Sequence, residues 1–272
     1  MSSPWCGQMR HPRAPTASRL VCMIPKRGRY WRRTPANAVP VAESCWVRSI
    51  CPDAGNAVSP TRRERVAQSL LWLVIVAFVV TFAGLAVRRH WALATNGMDL
   101  GNVNQALWNT AHGDFLAFTN MAPVQNRLAL HVEPILLLLV PLYWLGLGGP
   151  VALLIIQAAV VGLGALPMYW LARDNLLPLP TGRTEKWRSG AEAFLPLIFP
   201  VAYLLLPALE AAAMYDFHAV TLAPTLLLFA FHYLQQRGYA RFALFSLLAM
   251  ACKEDMALVV AMLGIYILLA PR

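Results

Sequence analysis

Residues 69–87 form a run of nineteen with no charged side chain, closed by Arg88 and Arg89. The hydrocarbon core of a bilayer is about 30 Å thick, and about 20 helical residues cross it. Backbone N–H and C=O groups in that core have to be paired inside the chain, which leaves a helix as the fold of such a run. The composition agrees. The chain is 58% hydrophobic and 13% charged, with a mean hydropathy of +0.52, whereas soluble domains carry about 25% charged residues. The expected fold class is all-α, a polytopic transmembrane helix bundle in the cell membrane, with the lipid bilayer as its first partner.

The net charge of +10 is concentrated at one end. Residues 1–68 hold 12 Lys and Arg against 3 Asp and Glu, which leaves +1 for everything after them. Residues 1–65 read as a disordered, basic tail rich in Pro and Arg. They lack the apolar core of a signal peptide. No folded motif stands beside the charge, so nucleic acid is not an expected partner. Cys6, Cys22, Cys45 and Cys51 lie in this tail at spacings that match no zinc or redox pattern. Cys252 lies in an apolar stretch and reads as a small packing residue.

Spans are expected at about 69–87, 150–172, 193–212, 219–236, 241–252 and 256–270. Arg62, Arg63 and Arg65 put the start of the first span in the cytoplasm, while Arg88, Arg89 and His90 count against that orientation. Residues 134–147 are apolar but too few to span, and read as a re-entrant or interfacial helix. If they spanned, the loop carrying Arg173, Arg183, Lys186 and Arg188 would face outward, against the positive-inside rule. Pro196, Pro200 and Pro207 imply kinks. The chain closes on a hydrophobic helix, the pattern of a longer bundle truncated at its C-terminus.

This topology brings four polar signatures to the outer side, and each has a structural reading beside its chemical one. Asp99 precedes Asn102, Asn104 and Gln105; it is a general base or metal ligand, or a solvated loop carboxylate. His131 and Glu133 stand at the mouth of the re-entrant segment beside Pro134; they are acid–base or metal-binding groups, or a helix cap. Asp216 and His218 lie two residues apart at a helix turn, suited to proton transfer, metal binding or capping. Lys253, Glu254 and Asp255 interrupt an apolar stretch, as phosphate and metal ligands or as an internally paired turn. Lys253 and Arg127 are the phosphate-binding candidates. Glu133, His218, Glu254 and Asp255 are the metal-ligand candidates, with Mg²⁺ or Mn²⁺ as the ion. Gln157 and His232 lie inside apolar helices and read as interhelical hydrogen-bonding residues. No Walker, Rossmann, H-E-x-x-H or G-x-S-x-G pattern is present.

Four segments in order resemble one membrane family. They are Asp99-Leu100-Gly101 with Asn104-Gln105-Ala106-Leu107-Trp108, then Asn126 through Leu136, then Tyr215-Asp216-Phe217-His218, then Lys253-Glu254-Asp255. They look like domain of unknown function 2079, over about residues 70–272. That family is in turn similar to the GT-C superfamily of glycosyltransferases, which take sugars from polyprenyl-phosphate carriers on the extracytoplasmic face. The resemblance implies a GT-C-like bundle and a polyprenyl-phosphate sugar donor. It implies catalytic roles for Asp99, His131 and Asp216, and a phosphate contact for Lys253. Family members are longer, and the spacing from His131 to Pro134 departs from the superfamily's His-Pro entry. The alternative is a transporter or lipid-binding protein that uses the same polar groups without chemistry. The enzymatic reading requires Asp99, His131, Asp216 and Lys253 to converge on one cavity.

Overall fold

Helix α1 (Arg62–Trp91) buries Ala67, Leu71, Ile75, Phe78 and Ala86, a stripe repeating every three to four residues or a multiple of that. Its other face shows Trp72, Leu73, Val76 and Val80, each about half exposed or more. A helix with one stripe in the protein and a row of large apolar side chains opposite belongs in lipid. The computed structural model describes residues 62–176 and 191–269, all within the unit Ser59–Arg272. The expected tail therefore lies outside the described residues, except that residues 62–65 already belong to α1. Arg183, Lys186 and Arg188 also lie outside them.

After α1 come α2 (Asn102–Ala111), a hairpin of β1 (Ala117–Met121) and β2 (Val124–Asn126), and the short α3 (Val140–Trp144). Helices α4 (Pro150–Leu163) and α5 (Ala165–Leu176) follow, then α6 (Ile198–Leu204), α7 (Pro207–Met214), α8 (Ala223–Gln235), α9 (Tyr239–Met250) and α10 (Met256–Leu269). The molecule is an all-α bundle with one two-stranded addition.

Two buried clusters fix the helix directions. Ala86, near the end of α1, packs with Leu153 and Leu154 of α4. Leu71, Ile75 and Phe78, nearer its start, pack with Val161 of α4 and with Ala165 and Tyr169 of α5. The first helix and the α4–α5 pair are therefore antiparallel. Gly162 lets them approach: a Cβ there would meet Val79 Cγ2 at 2.8 Å. Tyr203 of α6 fastens the middle of the bundle, its hydroxyl donating to the Val161 carbonyl at 3.1 Å.

Among the described residues two helices are long and apolar enough to cross a membrane, Arg62–Trp91 and Pro150–Leu176. A third span forms if Ala193–Leu204 and Pro207–Met214 count together, although they meet at 54°. The span expected at 193–212, with kinks at its prolines, is broken at Leu205 and Leu206. Pro207 opens the second half, where its missing N–H would otherwise have continued the first helix's hydrogen bonds. Ala219–Gln235, Tyr239–Met250 and Met256–Tyr266 are apolar but shorter.

Residues 92–149 begin and end at the same end of the bundle, since α1 arrives there and α4 departs from it. The segment expected to be re-entrant is a 3₁₀ turn (Pro134–Leu139) running into α3. It packs along α2, with Tyr143 donating to Asn104 Oδ1 at 2.9 Å and Trp144 Nε1 to the Ala111 carbonyl at 3.1 Å. Eleven residues of mixed 3₁₀ and α helix reach about 20 Å at most, short of a bilayer core. The hairpin was not expected from the sequence; its strands are too short to show an alternating pattern. His232 packs against the Trp170 ring at 5.1 Å, and its Nδ1 has no hydrogen-bond partner among the described residues, in place of the expected interhelical bond.

Gly162→Ala forces a methyl group against the branched Val79 side chain. It should lower stability by about 1–3 kcal/mol, read as a fall in unfolding temperature in detergent, whereas Gly84→Ala, with open space around it, should leave that temperature unchanged.

Candidate functional site

The turn after α7 and the loop after α1 meet through backbone chemistry. Gln157, buried inside apolar α4, donates from Nε2 to the carbonyls of Ala212 and Tyr215 at 2.9 and 3.1 Å. Its Oε1 accepts the N–H of His218 at 2.9 Å. One amide therefore pairs three groups of the turn that carries Asp216 and His218. Arg89 adds to this joint. It donates to the Ala94 and Met214 carbonyls at 3.1 and 3.3 Å and lies 5.2 Å from the Tyr215 ring centre.

Asp216 is 1% exposed. Its Oδ2 accepts the N–H of Asn96 at 2.6 Å, and its Oδ1 has no partner among the described residues. Asn96 caps the π-helical turn Gly97–Gly101, its own side chain accepting from Met98 N–H. That turn holds Asp99, whose Oδ1 stands 3.5 Å from His218 Nε2. Both side chains are about one-third exposed. His218 Nδ1 lies 2.9 Å from the Asp216 carbonyl. A carbonyl only accepts, so Nδ1 carries the proton and Nε2 is the nitrogen turned toward Asp99. The first and third signatures thus form one acid–imidazole pair on a buried backbone joint.

The second and fourth signatures form another. Arg127 and Glu133 make a 2.7 Å ion pair, 7% and 4% exposed. His131 donates from Nδ1 to Glu254 Oε1 at 3.2 Å, and the Val132 N–H donates to Oε2 at 3.1 Å. Ile135 N–H reaches the Ala251 carbonyl at 2.9 Å. Lys253 lies 3.4 Å from Asp255, which is largely exposed. One apolar cluster includes Leu100, Leu136, Phe217 and Cys252, one residue from each signature or its immediate edge.

The expected site residues are therefore sorted by the fold. Asp99 and His218 come together, and so do His131 and Glu254. Asp216 is within the same joint as Asp99 but sealed from solvent. Arg127 is committed to Glu133 and buried, which removes its fork from any phosphate. The four metal-ligand candidates turn to different partners: Glu133 to Arg127, His218 to Asp99, Glu254 to His131, Asp255 to Lys253. Among the described residues no three His, Cys, Asp or Glu side chains are grouped to hold a metal ion. Cys252 is fully buried and packs as expected. Gln157 makes the interhelical hydrogen bonds expected of it, though the sequence did not show that they hold this turn, and Arg89 was given no role here. A lone amide inside α4 was the available signal for the first.

The fold and this end of the bundle define a helical membrane protein with a motif-built polar cap. The family model described as a predicted membrane protein, domain of unknown function 2079, matches residues 89–272, and the chain belongs to that family. No curated protein and no solved structure matches it.

Two outcomes follow from these pairs. Removing Arg127 alone strands a buried carboxylate and should cost about 3–5 kcal/mol; Arg127→Met with Glu133→Leu should recover most of that in the same unfolding measurement. Glu254 titrates low, at about 2, chiefly through its own backbone N–H and then through His131 and the Val132 N–H. A carboxyl lowered on folding contributes stability above its ordinary value of 4.5 and loses it as pH falls through the folded value. The Val132 amide resonance should therefore shift with a midpoint near pH 2, and a midpoint at the ordinary carboxylate value would mean that the clasp does not form.

Proposed function

We propose that the cap end is the catalytic face of a membrane glycosyltransferase that uses a polyprenyl-phosphate-linked sugar. The observation that carries this reading is the Asp99–His218 pair, one-third exposed and set at 3.5 Å on a joint held from below by Gln157. General bases need access to the proton they take and a fixed orientation, and this pair has both. The resemblance of the four signatures to GT-C enzymes supplies the substrate class.

In this mechanism Asp99, with His218 behind it, takes the proton of an acceptor hydroxyl. The acceptor oxygen bonds to the sugar's anomeric carbon as the bond from that carbon to the phosphate oxygen breaks. The electron pair leaves with the polyprenyl phosphate. Lys253 meets that phosphate: its pairing with exposed Asp255 is of the kind worth about 1 kcal/mol or less, so the ammonium exchanges partners readily. Asp216 positions the Asn96 turn and does not touch substrate. Arg127 is structural. The described residues do not preassemble a metal set, and no step is assigned to a metal ion.

The non-enzymatic reading, lipid binding or transport, draws on the 54° break between α6 and α7, since broken helices mark binding sites in transporters. One comparison separates the two. Membranes carrying the wild-type chain, given short-chain polyprenyl-phosphate hexoses with labelled sugar, should release labelled product. Asp99→Asn should reduce that release about 10²–10⁴-fold at equal expression. Full activity in that variant overturns the enzymatic reading.

A further inference from the structure

A cavity of about 590 Å³ is walled by α7, α8 and α10, and its volume is that of a ligand site. Its α8 wall is Thr221, in the turn before that helix, then Pro224, Leu228 and Phe231. Pro224 to Phe231 covers about 10 Å of the helix. The α10 wall is Val259 and Leu263. Leu206 and Ala208 line the cavity at the 54° break between α6 and α7. Among the described residues the lining holds no charged side chain. Of its two hydroxyls, that of Tyr203 is given to the Val161 carbonyl, which leaves Thr221. Leu206 is 50% and Val259 40% exposed, so the cavity opens sideways on the bundle.

Such a lining suits hydrocarbon. What that hydrocarbon is attached to follows from where the walls begin. The Thr221 N–H donates to the His218 carbonyl at 3.0 Å, so the α8 wall starts from the acid–imidazole pair. Met256, the first residue of α10, donates its N–H to the Lys253 carbonyl at 3.1 Å, so the opposite wall starts from the lysine. Both helices run away from the cap. A chain lying between them carries its head to the two ends where they start, one marked by His218 and the other by Lys253. A lysine there selects an anionic head. One trough takes one chain. A diacyl lipid would leave its second chain outside and hold its phosphate off on glycerol, whereas a phosphate joined directly to a single chain meets both conditions. Bilayer hydrocarbon is as apolar as this lining, so the wall orients the chain and Lys253 supplies the preference.

We propose that this cavity holds the polyprenyl chain of the sugar donor, with the carrier phosphate at the ends from which α8 and α10 start. The identity of the donor rests on the transferase reading; the cavity fixes where its chain goes.

The test gives the whole chain, in phosphatidylcholine nanodiscs, a short-chain polyprenyl phosphate that carries a diazirine on its chain and no sugar. After irradiation and digestion the label should fall on the wall, in the peptides that bear Leu206, Phe231 and Leu263. Excess plain polyprenyl phosphate should remove it, and the same excess of phosphatidylglycerol should not. Ala208→Phe, which puts a ring into the opening from an exposed position, should cut this labelling about tenfold. Ala202→Phe, exposed and outside the lining, should not. If Ala208→Phe does not fold, the wild-type label and its competition decide. Label absent from these peptides, equal competition by phosphatidylglycerol, or full labelling of folded Ala208→Phe overturns the site. Sugar release from the same preparations separates the two proposals. Release with the label elsewhere removes the chain site and keeps the enzyme; label in the wall without release keeps a polyprenyl-phosphate site and removes the enzyme.

Discussion

Gln157 holds three backbone groups that would otherwise be stranded in an apolar setting. A turn between two helices near a bilayer exposes carbonyls and an N–H with no helical partner, and each such group left unpaired costs several kcal/mol. Gln157 satisfies the Ala212 and Tyr215 carbonyls and the His218 N–H from a neighbouring helix. The turn is thereby fixed in the one shape that points Asp216 at the Asn96 N–H and His218 at Asp99. The acid–imidazole pair is a consequence of this amide as much as of its own two residues.

The cap is built as two polar assemblies whose neighbours share one apolar cluster. Leu100, Phe217 and Cys252 each sit beside a polar motif residue, and Leu136 follows Glu133 by three residues. Alternation of polar and apolar neighbours within each signature thus does two things. The apolar member anchors the loop to the bundle, and Asp99, His218, His131 and Glu254 stay partly exposed above buried Asp216, Arg127 and Glu133. The exposed acid–imidazole pair and the clasp of His131 on Glu254 are separate features that share a foundation.

Much of the bundle was legible because bilayer thickness imposes a length test on apolar runs. That test picked out α1 and the α4–α5 pair, the helices long and apolar enough to cross, while Pro134–Trp144 is a shorter apolar helix. The break at Leu205 was foreshadowed by Pro207, though its angle was not. Partner choice was hidden, because it depends on burial and on contacts across long separations. Arg127 looked like a phosphate ligand until Glu133, six residues on, was seen to enclose it. Glu254 binds a histidine 123 residues away.

The bonds from Val132 and Ile135 to Glu254 and Ala251 also set an order of assembly. A polypeptide leaves the ribosome from its N-terminus, so the residues around Pro134 wait through more than a hundred others for their partners. Until the turn between α9 and α10 arrives, two amides at the mouth of the returning segment have nothing in the chain to bind. The α9–α10 pair is therefore the keystone of the cap, and a nascent chain halted before it would present an unfinished edge to whatever chaperone attends the membrane.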